Sequence, residues 1–268
     1  TQNEEKLAFE LRTRGVLHGT VDHPESLNLN RFFLFLKGIT VSATGKLELA
    51  DAPRLDLNIQ AKGELQRLHE MITEVPSMGG NARCKLHITG PMTDPRTRAD
   101  VEVTDLRFGQ SKVGDLEVEL VHSGDRINVE SFRVFHEQAG KITGSGVIEL
   151  TKSLPLTMRT RLHEASLPHV LDITGLPDTW VRLLLNADAD VSGSLNPLRL
   201  QITVAGDVDN FTVLDGGYRE VGTSRVLFIP NARIQGLVTV NQHAVGLNHV
   251  QIHLPNSLIN VEGTLSFS

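Results

Sequence analysis

Three residue types that usually carry chemistry are scarce. The 268-residue chain has one cysteine, one tryptophan and one tyrosine, and aromatics make up 4% of it. A lone Cys84 excludes an internal disulfide and a cysteine-based zinc site. Standing in phase with Leu86 and Ile88, it reads as a small buried apolar residue and not as a nucleophile. The densest apolar run, Phe32–Leu36, is far short of the roughly 20 residues that a membrane-spanning helix needs, and no signal-peptide pattern is present. Basic residues number 26 against 32 acidic, a net charge of −6, with no large block of either sign. A nucleic-acid binder normally carries a basic stripe, so no nucleic-acid partner is expected; local contact with a membrane stays open.

What is present is aliphatic and periodic. The hydrophobic share is 40%, supplied mainly by Val, Leu and Ile, which suit a pleated surface. From Val41 onward apolar residues alternate with polar ones. Val41, Ala43, Gly45, Leu47 and Leu49 fall on one face, and Leu55, Leu57, Ile59 and Ala61 do the same against Asp56, Asn58 and Gln60. Later rows include Ala99, Val101 and Val103, then Leu116, Val118 and Leu120. The longest runs from Val181 through Leu183, Leu185, Ala187 and Ala189 to Val191, with Leu184 breaking the polar side, and Leu198, Leu200, Ile202 and Val204 follow. Period two with one polar face means strands in a sheet that is wet on one side. Phe32–Leu36 is apolar on both parities, as a strand covered on both faces, or a segment lying under a helix at 64–75, would be.

The pattern is written twice. Gly45–Leu49 and Gly146–Leu150 open two passages about 101 residues apart, which is the mark of stacked supersecondary units. Each passage continues with a second strand, a short helix ending in Pro76 or Pro177, a long alternating run, a Gly-to-Pro turn (Gly90–Pro95, Gly193–Pro197) and a further strand. The expected division is the end of a preceding repeat over 1–40, one repeat over 41–140, a second over 141–262 and the start of a next over 263–268. The first repeat carries a helix at 64–75; the second carries one at 166–175, capped by Ser166 with Pro168 in its first turn, and an insertion at about 210–245. A segment of a longer repetitive protein is expected, with any membrane anchor outside it.

No catalytic or metal-binding pattern in the sequence is complete. Asn186, Asp188 and Asp190 mimic the start of a calcium loop without its sixth-position Gly or acidic twelfth ligand, and on a strand they lie on the wet face. His249 and His253 are about 13 Å apart on a strand, too far to chelate. Gly144-Ser145-Gly146 is not a nucleophile elbow. Glu117 and Glu119 read as a solvated face. A glycan-active β-solenoid would need aromatic sugar platforms, and Trp180 and Tyr218 are the only Trp and Tyr. The expectation is a protein that is not an enzyme and uses no metal and no cofactor.

About sixteen strands and two short helices are expected, in an all-β, long, curved, mainly antiparallel sheet with its apolar face concave. A flat sheet of that size would expose more apolar surface than soluble monomers tolerate. Either the sheet closes on itself as an ordinary sandwich core, or something apolar fills it. At about 4.8 Å per strand, sixteen strands extend about 75 Å, room for several acyl chains in file. The candidate lining residues are Val101, Val103, Val118, Leu120, Leu183, Leu185, Leu200, Ile202 and Val204.

The serial order of Gly-to-Pro turn, alternating strands, G-x-[LI]-E-L and short helix resembles the AsmA-like superfamily, in particular its TamB-type proteins. The resemblance rests on Gly45–Leu49, Gly146–Leu150, Gly90–Pro95, Gly193–Pro197 and the helices ending at Pro76 and Pro177. It implies a β-sheet half-pipe, or β-taco groove, tethered to the inner membrane and crossing the periplasm of diderm bacteria. It also implies phospholipid moved between inner and outer membranes, with acyl chains in the groove. The alternative that it carries is a module for outer-membrane protein assembly, with assembly proteins as partners and unfolded strands added at a sheet edge.

Overall fold

In a computed structural model, the structure describes residues 9–19, 24–49, 52–67, 78–109, 111–173, 180–218 and 220–266. The protein is all-β: fifteen strands form one antiparallel sheet, in chain order from first to last, and the sheet is not closed. The chain divides into two units, residues 1–110 with 115–124, and residues 111–114 with 125–268.

The first unit holds β1 (Phe9–Gly19), β2 (Pro24–Leu36), β3 (Ile39–Glu48), β4 (Arg54–Glu64), β5 (Met78–Pro91), β6 (Arg96–Phe108) and most of β7 (Ser111–Ser123). Hairpin succession fixes its register. Gly45 pairs with Leu57, Leu47 with Leu55, Leu57 with Ile88 and Leu86 with Ala99. Paired residues share a face, so the apolar phase of each strand continues into the next. Leu65–Arg67 are helical after β4 and Leu65 is buried; the rest of the helix expected at 64–75 lies outside the described residues.

The second unit holds β8 (Arg126–His136), β9 (Gly140–Glu149), β10 (Pro155–Ser166), α1 (Leu167–Ile173), β11 (Val181–Leu195), β12 (Leu198–Leu214), β13 (Arg225–Asn241), β14 (Ala244–Leu254) and β15 (Ser257–Ser266). Its β9–β10 pairing repeats that of β3–β4: Gly146 faces Met158 as Gly45 faces Leu57, and Ile148 faces Leu156 as Leu47 faces Leu55. Strand, strand, helical turn, strand and strand thus recur in one order within both units. Ser166 directly precedes α1, with its Oγ hydrogen-bonded to His169 Nδ1 at 2.8 Å.

Within the expected insertion, residues Arg225–Asn241 form one continuous strand. Pro230 lies inside it. The pairing with β14 starts only at Arg233 opposite His253, so on that side the ring removes no ladder bond. Asn210, at φ 56, shifts the phase of β12. As a result both Val208 and Phe211 enter one buried cluster, with Leu183, Ala232 and Ile252. Leu167 of α1 packs against that cluster.

Candidate functional site

The nine candidate residues are buried or half-buried, on the less exposed phase of their strands. In the first unit, Val101 pairs with Cys84 and Val103 with Ala82. Val103 is buried and Val101 half-buried, and Val118 and Leu120 of β7 are half-buried in phase with Leu116. In the second unit, Leu185 pairs with Val208 and with Ala165. Val204 pairs with Ala189 and Gly236, Ile202 with Val191 and Val238, and Leu200 with Gly193 and Val240. The register therefore joins the second set into one apolar surface across β11, β12 and β13.

How far that surface is covered varies along it. At the α1 end Leu183 and Val208 are buried, and Val208 is 0% exposed. Next to them Ala187, Ala189 and Val204 form a second buried group, with Leu162, Leu185 and Ile202 packed against it. Further along, Leu200, Ile202, Val238 and Val240 are only half-buried, and so is Val245. One sheet supplies all these residues, and neighbouring side chains cover the small ones better than the large. Alanine and glycine share the face with the branched residues. At Gly144 an added Cβ would lie 2.5 Å from the Phe132 ring, so the ring lies over the bare backbone there. Sequence reading missed this aromatic contribution, because Phe132 follows a register shift after Val129.

The opposite face is charged and mostly paired across strands. Arg161 Nε donates to Asp188 at 2.7 Å, and Arg159 lies 3.5 Å from Asp190. Asn186 Oδ1 accepts from Glu164 N, and its Nδ2 donates to Asp209. The three residues that mimic a calcium loop are therefore engaged with neighbouring strands. The Arg161 guanidinium holds the Asp188 carboxyl below its ordinary value. His249, at φ 52, contacts Glu262 at 2.8 Å. Glu119 lies 3.6 Å from Arg98. Cys84 is half-buried on the apolar face between Ala61 and Val101, and burial pushes its thiol up, with the Asp100 charge adding to it. Among the described residues no group of three or more metal-ligating side chains is assembled, and no helix is long and apolar enough to cross a membrane.

No family model, curated protein or solved structure matches the chain.

Proposed function

We propose that the apolar face of the sheet binds lipid acyl chains, and that the chain is a lipid-carrying segment of a periplasm-spanning protein of the AsmA-like kind. In that setting the whole protein, tethered to the inner membrane by an anchor outside this segment, moves phospholipid between inner and outer membranes. The observation that carries the reading is the half-buried state of Leu200, Ile202, Val238 and Val240 on a sheet that is not closed. Aliphatic side chains in register on three adjacent strands make a continuous apolar surface. Its attraction for an acyl chain is non-directional, so a chain slides along it without breaking fixed polar bonds. Fully covering such a side chain contributes on the order of 1.5–3 kcal/mol relative to leaving it in water.

Photo-cross-linking from positions 118 and 185, together with lipid extraction and native mass spectrometry of the purified protein, tests this. Phospholipid adducts at both positions support the proposal. A lipid-free protein that yields no adduct after incubation with phospholipid refutes it. A second reading is favoured by one observation: β1 and β15 each have a single neighbour in the sheet. An open edge accepts an extended peptide by β-augmentation, the mode expected of a module for outer-membrane protein assembly. Peptide adducts in place of lipid would select that reading.

A further inference from the structure

On the polar face, where two charged residues stand opposite each other across strands, they are mostly of opposite sign. Lys46 faces Asp56, Glu48 faces Arg54, Arg126 faces Glu149, Arg161 faces Asp188 and Asp207 faces Arg233. Among the described strand pairs, two break the rule, and both lie in the first unit. Arg14 is directly opposite Arg31, and Lys62 is directly opposite Arg83. Like charges in that position weaken a sheet. A local violation that the fold does not need points to a surface kept for binding.

The two pairs flank one depression of about 700 Å³, lined by Arg12, Arg31, Lys62, Arg83 and Lys85 with no carboxylate among its described lining residues. Arg12 is paired with Glu10. Arg83 and Lys85 face Glu102 and Asp100 in the β5–β6 register, but neither forms an ion pair with them among the described residues. On the same face Phe33 stands opposite Arg12, and Phe35 and Val16 are exposed. Cations interleaved with exposed apolar side chains suit the boundary between lipid headgroups and acyl chains. We propose that the polar face of β1–β5 docks on an anionic phospholipid bilayer. At about 4.8 Å per strand the docking face is about 19 Å wide from β1 to β5, enough to span several headgroups. This surface lies on the other side of the sheet from the acyl-binding face and does not rest on that reading. Absence of lipid adducts at position 185 leaves it standing.

The test is vesicle co-sedimentation of the full chain, using phosphatidylcholine with and without about 30 mol% phosphatidylglycerol, at low and high salt. The expected result is binding that requires the anionic lipid and falls with salt. The triple variant Lys62→Gln, Arg83→Gln, Lys85→Gln is expected to bind about 100-fold more weakly, about 5-fold per cation removed. Its thermal midpoint should not fall, because the Lys62–Arg83 like-charge pair is relieved and none of the three residues gives up an ion pair among the described residues. A control with the same change in net charge, Arg159→Gln, Arg161→Gln, Arg233→Gln, should keep its vesicle affinity. Equal binding to neutral vesicles, full binding by the triple variant or equal loss in the control would each overturn the proposal. So would release by inorganic phosphate, which would mark a discrete phosphate site, or tighter binding to a single-stranded oligonucleotide than to vesicles.

Discussion

Truncating two aliphatic side chains of β12 separates a closed core from a surface that awaits a ligand. Val208 is 0% exposed among Leu183, Phe211, Ala232 and Ile252. Val208→Ala removes the equivalent of two buried methylenes, about 1.6 kcal/mol at ~0.8 each. A residual void of roughly 40 Å³ adds about 1 kcal/mol at ~24 cal/mol per Å³. The sum is about 2.5 kcal/mol, a fall in melting temperature of about 7 °C at roughly 3 °C per kcal/mol. Ile202 lies on the same strand and phase but is half-buried. Ile202→Ala removes more carbon but takes about half of it from water and encloses no void, so the expected cost is about 1 kcal/mol, or about 3 °C. Adding phospholipid should raise the melting temperature of the wild type and of Val208→Ala equally, and that of Ile202→Ala less. Differential scanning calorimetry of delipidated and lipid-loaded protein reads both effects. If Ile202→Ala costs as much as Val208→Ala without lipid, and lipid shifts neither, the face is a closed protein core and the acyl-binding proposal fails.

Other perturbations test the local physics. An added Cβ at Gly45 would lie 2.0 Å from the Asp56 carbonyl oxygen, at φ 147. Gly45→Ala is therefore expected to destabilise by at least about 2 kcal/mol in urea unfolding, whereas Gly124→Ala, with nothing within 4 Å, costs about 1 kcal/mol from its φ of 59 alone. The Asp188 carboxyl is held below its ordinary 3.8 by Arg161. Its contribution is complete above the ordinary carboxylate range and is lost as pH falls through the lowered value. Asp188→Asn should then flatten the acid limb of stability below that range and leave the slope between pH 5 and pH 7 unchanged; a changed slope at neutral pH would contradict this. Burial raises the Cys84 thiol, so alkylation by iodoacetamide near pH 8.5 should run slower than for a free thiol, and an equal rate would contradict this.

Much of the sheet was legible because every strand pairs with its sequence neighbour. In such a meander, alternation within one strand carries to the next through a hairpin, so Leu55, Leu57 and Ile59 find Gly90, Ile88 and Leu86 without a long-range choice. Places where parity changes were hidden. Asp105, Glu164, Asn210 and His249 all take positive φ without being glycine. Asp, Asn and His tolerate that region better than most residues, whereas Glu has no such preference, and nothing in the neighbourhood marks these positions over other residues of the same types. The break at Leu184 in the longest row is one consequence. The register between β11 and β12 shifts between Arg182 and Leu184, so Leu184 does not signal a second buried face there.

The candidate faces were legible to different degrees for a related reason. Membership of the apolar face is a property of one strand's parity, and Ile202 declares it within five residues. How much water reaches Ile202 depends on what stands over the sheet, which alternation does not encode. The cationic patch was invisible for the opposite reason. Arg14 and Arg31 are 17 residues apart along the chain, and Lys62 and Arg83 are 21 apart, so no linear window shows a basic block. Only the register brings them side by side. A chain with net charge −6 thus assembles a local cationic surface from dispersed residues. The like-charge pairs distinguish that surface from the ordinary ion-paired face around Arg161 and Asp188, where each cation already has its counter-charge. That difference predicts which arginines and lysines can be neutralised without loss to the fold: those without an ion pair among the described residues, such as Lys62, Arg83 and Lys85, and not those held by a carboxylate, such as Arg161.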